Sequence, residues 1–382
     1  MREGVFVFGG VEFDDAGAGP PAPMDRRYDA RTIWATTERL LQLGVTAEQT
    51  GFDSYWYTEH HFQYEGYEVL PNGVLISAVL AERTERIRIG AMFNVITQWH
   101  PLRFAEDFAT MHNLSKGRGI LGVGRGTVPR EGENLGTVIG SADNPDREQH
   151  DKLNRELFEE SLDVIRLALD QESFRFEGNH LCFPARGTAD RGQGVETLTL
   201  VPRPLYPYET WQPASSPTTL DFVARKGVGA VFWHLHHSIQ KQWWEQYQTI
   251  HDSVHGTSLR PGEKRMLVLN VKIGDTHEDA IAAARPGHDE IWKFLGPYGW
   301  SKGYVIDGHP APMGTIPTLE QSLEQKTWLI GTAEEVAEGL QFWKDLVGLE
   351  DVVVFPQFPG DTYDATEEQL HRWSEQVRPL IS

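Results

Sequence analysis

Residues 117–126 read Gly-Arg-Gly-Ile-Leu-Gly-Val-Gly-Arg-Gly. The stretch follows a helical pattern in which Leu102, Ala105 and Phe108 recur on one face, and it begins where that pattern ends. Its centre is a short, nearly continuous apolar run, which is typical of a strand buried on both faces of a parallel sheet. The glycines after the run indicate a turn at the C-terminal end of the strand. The stretch therefore predicts one unit of a strand–helix repeat.

The same alternation of short apolar runs and longer helical patterns continues along most of the chain. Seven or eight such units without a break in composition predict a single α/β domain, 1–382, folded as a (β/α)8 TIM barrel. An insertion is predicted near 172–213. The segment near 296–327, rich in Gly, Pro, Tyr and Trp, is interpreted either as a lid loop over the barrel mouth or as a disordered insertion. The predicted strands are 5–8, 54–57, 87–90, 119–123, 229–233, 267–271 and 351–355.

The composition restricts the class of protein and its partners. The 382 residues carry a formal net charge of −20, which argues against a nucleic-acid or anionic-membrane surface. Cys182 is the only cysteine, so the sequence excludes an intramolecular disulfide and a cysteine-based metal cage. The first residues lack the pattern of a signal peptide, and no apolar run approaches the length of a membrane span. We therefore expect a cytoplasmic protein.

The residues Thr58-Glu59-His60-His61-Phe62 directly follow the second predicted strand. Catalytic side chains gather at the C-terminal ends of barrel strands. Histidine exchanges protons near neutral pH, and a neighbouring carboxylate orients it or raises its pKa. Glu59, His60 and His61 are therefore catalytic candidates. The alternative is that one or both histidines are hydrogen-bonded core residues.

Two segments have the chemistry of a phosphate site. Gly122–Gly126 follows the fourth strand, and its glycines allow backbone amides to approach a phosphate while Arg125 supplies a positive charge. It is not a Rossmann fingerprint, because Thr127 stands where the third glycine is needed. Residues 215–219 precede an apolar helical pattern, where hydroxyl groups cap a helix or bind a phosphate. A tight turn and an ordinary cap explain the two segments equally well.

A histidine-rich segment closes the predicted strand 229–233. His234 and His236 are predicted to point to one side of the strand, where they could ligate a metal together with His60 or His100. No carboxylate cluster with convincing ligand spacing accompanies them, and the H-E-x-x-H pattern is absent. The sequence therefore predicts no metal, and a metal-dependent barrel hydrolase stays an alternative.

The ordered set of motifs resembles the bacterial luciferase family. Gly51-Phe52-Asp53, followed by Tyr55-Trp56 and Glu59-His60-His61-Phe62, is similar to the second-strand signature of that family. The resemblance covers nearly the whole chain and is densest over 50–130. It implies a luciferase-like barrel that is a homodimer or pairs with a related chain, and whose reduced FMN comes from a separate NAD(P)H:flavin reductase. The matching motifs continue in the same order through 88–90, 100–107, 114–118, 122–126 and 331–334.

The resemblance also implies a reaction. In the family, reduced FMN reacts with O2 to give a flavin C4a-(hydro)peroxide that oxygenates a small organic substrate. Luminescent members carry a reactive cysteine where this chain has Gly124 and a glutamate where it has Ser215, so a non-luminescent monooxygenase is favoured. A deazaflavin-dependent oxidoreductase of the same fold stays open. So does a non-catalytic partner subunit of a heterodimeric oxygenase, although the presence of His60 and Arg125 argues against it.

Individual roles follow from the resemblance residue by residue. His60 matches the active-site histidine, and Glu59 lies near the flavin. Met92-Phe93 falls where the family often has a non-proline cis peptide beneath the flavin ring. The residues implied at the FMN phosphate are Arg125, Arg155, Ser215, Ser216 and Thr219. The aromatic residues that are candidate pocket walls, or else barrel core, are Phe8, Trp56, Trp99 and Trp233.

Overall fold

The computed structural model describes residues 1–17, 19, 26–140, 145–312 and 314–381. Eight parallel strands form a closed barrel, because each strand pairs with the next along the chain and the last pairs with the first. The predicted (β/α)8 barrel is therefore confirmed. The strands are β1 (Arg2–Val7), β2 (Ser54–Tyr57), β3 (Arg88–Ala91), β4 (Gly119–Gly124), β5 (Thr210–Pro213), β6 (Gly229–Phe232), β7 (Arg265–Ile273) and β8 (Asp351–Phe355).

Helices surround the barrel, and several of them begin at polar caps. The Asp29 side chain accepts hydrogen bonds from the backbone N–H groups at the start of α1, and Thr332 and Glu335 form a capping box at α10. Within the described ranges, no helix is both long and apolar enough to cross a membrane. The helices are α1 (Ala30–Gln49), α2 (Gly73–Arg83), α3 (Pro101–Leu114), α4 (Pro129–Asn134), α5 (Arg147–Asp170), α6 (Pro217–Lys226), α7 (His237–His255), α8 (His277–Leu295), α9 (Leu319–Glu324), α10 (Ala333–Val347), α11 (Tyr363–Arg372) and α12 (Arg378–Ile381).

The core has two layers. One apolar cluster fills the space between the strands and the surrounding helices, and the other, rich in aromatic rings, lies inside the barrel. The strands approach each other most closely beside Gly122, where a Cβ atom would stand 2.0 Å from the carbonyl oxygen of Ala91. Only glycine fits there, because real Cβ atoms do not come within 3.0 Å of a backbone oxygen. The contact fixes the distance between the ends of β3 and β4.

The two irregular stretches contain more regular structure than the sequence indicates. Thr210–Pro213, at the end of the predicted insertion 172–213, is barrel strand β5, so the inserted chain is 172–209. This insertion holds two short hairpins. The segment 296–327 contains 3-10 turns at Gly296–Tyr298 and Trp300–Gly303, a short hairpin and α9. It leads into a further parallel strand, Trp328–Gly331, which pairs with the last four residues of β7.

Candidate active site

A cavity of about 180 Å³ lies at the C-terminal ends of the barrel strands. Its wall is formed by residues that end or directly follow β1 to β6, together with aromatic residues of the segment 294–300. Active sites of this barrel type lie at that end. The cavity therefore defines the candidate active site, and of the predicted residues it brings together Phe8, Glu59, His60, Met92, Phe93, Arg125, Ser215, Thr219 and Trp233.

His60 lies between two carboxyl groups. Its Nδ1 is 2.9 Å from Oε1 of Glu131, within hydrogen-bond geometry, and its Nε2 is 3.1 Å from Oε2 of Glu68. Both glutamates are buried, with 0% and 2% of their surface exposed for Glu131 and Glu68. The Nε2 of Gln63 donates a second hydrogen bond to Glu131 at 2.8 Å. Because both ring nitrogens face carboxylate oxygens, the imidazole is fixed in orientation.

The two carboxylates keep the imidazole protonated. Burial by itself lowers the pKa of His60, but the negative charges of Glu68 and Glu131 outweigh burial and raise that pKa to about 9. Burial raises the pKa of Glu68 to about 7, against the opposing charge of His60. Burial also acts to raise the pKa of Glu131, but its contacts with His60 and Gln63 bring the pKa below its usual range. At neutral pH the site therefore holds an imidazolium next to an ionised Glu131.

Glu59 is fixed by a different set of contacts. Its Oε1 accepts a hydrogen bond of 2.8 Å from the indole Nε1 of Trp99 and one of 3.3 Å from the backbone N–H of Val95. The Nε2 of His61 lies 3.6 Å from the same oxygen. Oε2 of Glu59 is buried and has no hydrogen-bond partner. Trp99 and His61 therefore position Glu59 from outside the cavity and do not line it.

The predicted phosphate residues lie at the cavity end formed by β4 and β5. The guanidinium groups of Arg125 and Arg155 both bind Asp151, at 3.1 Å and 2.5 Å. Ser216 caps α6: its Oγ accepts from the backbone N–H of Thr219 at 3.2 Å and lies 2.9 Å from the hydroxyl of Thr219. Arg155 and Ser216 are not among the cavity-lining residues; they stand behind Arg125 and Thr219.

The four predicted aromatic wall residues separate into two pairs. Phe8 and Trp233 line the cavity, and their rings meet edge to face at a centroid distance of 6.1 Å. Trp56 is 0% exposed in the barrel core, where its indole donates to the hydroxyl of Ser54. Trp56 thus takes the alternative role of barrel core, and Trp99 lies outside the cavity lining, where it donates to Glu59.

The end of β3 forms the cavity wall next to the turn after β4. The Met92–Phe93 peptide is cis, and both residues line the cavity. A Cβ atom on Gly124 would lie 3.1 Å from Cβ of Phe93, so the position where luminescent relatives have a cysteine faces this aromatic side chain. Glycine at position 124 therefore avoids a crowded contact with Phe93.

The histidine-rich segment after β6 places His234 and His236 in different surroundings. His234 is 1% exposed and stacks on Trp233 at a centroid distance of 4.1 Å. His236 instead caps α7, where its Nδ1 accepts from the backbone N–H of Ser238. Across the described residues there is no group of three or more His, Cys, Asp or Glu side chains that could hold a metal ion. The two histidines have separate structural environments.

Glu68 and Glu131 were not among the predicted site residues. Glu68 lies in an irregular loop, and Glu131 is on α4, a helix of six residues. Neither segment has a periodic apolar pattern that would place it against His60. The only signal in the sequence is their short separation from two recognised motifs, since Glu68 follows 58–62 and Glu131 follows 122–126.

Comparisons with known proteins agree with this architecture. The sequence pattern of the luciferase-like monooxygenase family matches residues 4–349. The oxygenase component of a flavin-dependent trigonelline monooxygenase from Acinetobacter baylyi is 23% identical over 377 residues, which cover 94% of each chain. The family match spans most of the chain and identifies the protein as an enzyme. The chain belongs to the luciferase-like monooxygenase family.

Solved structures resemble the whole chain. The oxygenating constituent of 3,6-diketocamphane monooxygenase from Pseudomonas putida, a type II Baeyer–Villiger monooxygenase in complex with FMN, superposes with a TM-score of 0.75. It is 20% identical, and the match covers 100% of both chains. An F420-dependent secondary alcohol dehydrogenase superposes with a TM-score of 0.62 at 14% identity, covering 100% of this chain and 99% of the other. These likenesses define the fold.

Proposed function

We propose that this enzyme is a non-luminescent monooxygenase that binds reduced FMN and uses O2 to oxygenate a small organic substrate. The observation that carries the proposal is one cavity with two chemically different ends. At one end His60 is held between Glu68 and Glu131. At the other end stand the cationic group of Arg125 and the hydroxyl groups of Ser215 and Thr219. The first end suits proton transfer and the second suits a phosphate. A cytoplasmic NAD(P)H:flavin reductase is the expected source of the reduced cofactor, and a homodimer or a pair with a related chain is the expected assembly.

The residues at the β4–β5 end fit the phosphate of FMN. Two guanidinium groups that converge on the carboxylate of Asp151 can also converge on a phosphate, which offers acceptor oxygens of the same kind. The hydroxyls of Ser216 and Thr219 stand at the N-terminus of α6, where the helix dipole favours an anion. Arg125 and Thr219 would hold the phosphate, with Arg155 and Ser216 supporting them.

His60 is proposed as the proton donor of the reaction. Reduced flavin supplies the electrons that activate O2, and the activated oxygen needs a proton at a defined position. The imidazolium of His60 carries that proton because Glu68 and Glu131 hold it in the charged form. Tyr298 and Trp300, which line the cavity from the segment 296–303, would exclude water from it. This is the lid role predicted for 296–327.

Replacement of Arg125 by alanine is expected to weaken the binding of reduced FMN by one to two orders of magnitude. The reason is the loss of a charged hydrogen bond, which contributes about 1.5–3 kcal/mol. Anaerobic titration of the flavin absorbance measures the dissociation constant. Arg225→Ala is the matched control, because Arg225 lies on α6 with its side chain exposed and paired only with Asp221 in the same helix. Equal affinities of the Arg125 variant and the wild type would contradict the phosphate role.

The proposed protonation of His60 predicts a pH profile. Oxygenation should persist up to about pH 9 and fall above it, as the imidazolium loses its proton. In Glu131→Gln, one of the two negative charges is gone, so the pKa of His60 falls and the alkaline limb moves to lower pH by about one unit or more. Glu133→Gln, an exposed neighbour in the same helix, is the control. An unmoved alkaline limb in Glu131→Gln would show that His60 is not the titrating group.

A deazaflavin-dependent oxidoreductase is the second candidate. It is favoured by the F420-dependent dehydrogenase that shares the fold over the whole chain. Parallel titrations with reduced FMN and reduced F420, followed by exposure to O2 and a panel of substrates, separate the two. Oxygen-dependent product formation with FMN alone supports the oxygenase, whereas hydride transfer with F420 alone supports the dehydrogenase.

A further inference from the structure

The wall of the active-site cavity away from Arg125 is built mainly of aromatic rings. Phe8, Trp233, Phe294 and Trp300 line it and touch one another. The Phe8 and Phe294 rings meet edge to face at 6.4 Å, and the Trp233 and Trp300 rings at 5.5 Å. The face of an aromatic ring carries partial negative charge, and it is this face that attracts cations.

The buried polar atoms of the lining residues that have no partner are all acceptors. They are Oε2 of Glu59, Oε2 of Glu68 and Oε1 of Gln212. Oε2 of Glu68 is outside hydrogen-bond geometry but is paired with the charge of His60 at 3.1 Å, so the acceptors left for a ligand are those of Glu59 and Gln212. No buried donor of a lining residue lacks a partner in the part of the chain that the structure describes. A buried acceptor without a partner is costly, so a ligand that brings donors or positive charge complements this wall.

The charges of the cavity point in the same direction. Three carboxyl groups, those of Glu59, Glu68 and Glu131, surround the single imidazolium of His60. Among the described residues that line the cavity, the other cation is Arg125, which is bound to Asp151 at the phosphate end. An anionic substrate would therefore meet uncompensated negative charge, whereas a cation would offset it.

We propose that the substrate oxygenated in this cavity carries a positively charged nitrogen on or beside a compact ring, bound by the aromatic wall and by Glu59. This substrate class rests on the proposed function, since it assumes that the cavity holds both flavin and substrate. The rings would contact the substrate's apolar surface and its charge, while the carboxylate of Glu59 neutralises that charge. A neutral substrate of the same shape gains only the contact with the rings.

Three ligands of nearly equal shape test the proposal on the FMN-saturated enzyme: phenyltrimethylammonium, tert-butylbenzene and benzenesulfonate. Calorimetric titration and displacement should show that phenyltrimethylammonium binds at least tenfold more tightly than tert-butylbenzene, with no measurable binding of benzenesulfonate. The neutral compound has the larger hydrophobic driving force, so this order requires recognition of the charge. Equal or tighter binding of tert-butylbenzene, or binding of benzenesulfonate, would overturn the proposal.

Two variants assign the recognition to named groups. In Glu59→Gln, the affinity for phenyltrimethylammonium should fall about tenfold while that for tert-butylbenzene stays within twofold; Glu133→Gln is the exposed control. Trp300→Leu, at a partly exposed site, should reduce the preference for the cation and Trp300→Phe should retain most of it. The Trp300 pair keeps the test decisive if the Glu59 variant fails to fold. An unchanged preference in these variants would refute the assignment.

The outcomes separate this proposal from the proposed function. If reduced FMN binds and tert-butylbenzene is preferred, the substrate class is wrong and the oxygenase stands. If flavin does not bind but the flavin-free protein prefers the cation tenfold, the proposed function fails and the cation site holds.

Discussion

Replacing His60 by alanine is expected to slow the oxygenation step by about 100-fold, so that more of the reduced flavin is lost as H2O2, while FMN binding changes little. Positioned general acids contribute typically 10²–10⁴-fold. His60 is the lining residue whose two ring nitrogens both face carboxylates, so no neighbouring group can replace its proton in the same position. A single-turnover experiment that measures product and released H2O2 for each reduced FMN oxidised gives the coupling directly.

Two further variants make this prediction specific. His100→Ala removes a histidine that packs against Phe183 outside the cavity and should leave the coupling unchanged. His61→Ala tests the other predicted catalytic histidine, which the structure places beside Glu59 and outside the cavity lining. If His60→Ala couples as well as the wild type, His60 is not the proton donor; if His61→Ala alone loses coupling, the two roles must be exchanged.

Gly122→Ala is expected to destabilise the fold by about 3 kcal/mol, the upper end of the cost of overpacking. The added methyl group would stand 2.0 Å from the carbonyl oxygen of Ala91, and two backbones in a closed barrel cannot separate without disturbing their neighbours. Denaturant and thermal unfolding measure the loss. Gly194→Ala is the control, because the nearest atom to its added Cβ is the side-chain oxygen of Glu196 at 3.5 Å. Similar unfolding of both variants would contradict the packing argument.

The same contact connects the fold to the site. Gly122 lies on β4 two residues before Gly124, and Ala91 directly precedes the cis Met92–Phe93 peptide. A change in the distance between β3 and β4 therefore shifts two walls of the cavity relative to each other. We expect the residual folded fraction of Gly122→Ala to bind reduced FMN more weakly than the wild type.

Most of the barrel could be predicted from the sequence because its strands are short apolar runs separated by amphipathic helices. Thr210–Pro213 was placed in the insertion because Thr, Gln and Pro interrupt its apolar character, and the pairing with β4 and β6 that makes it a strand is tertiary. Trp328–Gly331 was missed for a related reason. It pairs only with the end of β7, after a long irregular segment, and four residues give no periodic signal.

The candidate site was predictable where side chains follow strands directly. Glu59, His60 and Arg125 are of this kind, because the strand end determines their place. The partners of His60 were not, since Glu68 lies in an irregular loop and Glu131 on a helix of only six residues, and the paths of both depend on packing. Trp56 and Trp99 show a second limit of prediction from sequence. Aromatic residues near strand ends look alike in sequence, and only the structure distinguishes a cavity wall from a hydrogen-bond donor in the core.

Arg125, which binds Asp151 in the phosphate region, and Glu131, which binds His60, stand on one short segment between β4 and the end of α4. If one residue were inserted or deleted between them, either Arg125 would lose its contact with Asp151 or Glu131 would lose its contact with His60. A change in the length of this segment therefore affects both ends of the cavity together. Loop length between 125 and 131 should accordingly be the most invariant spacing among relatives that use the same chemistry.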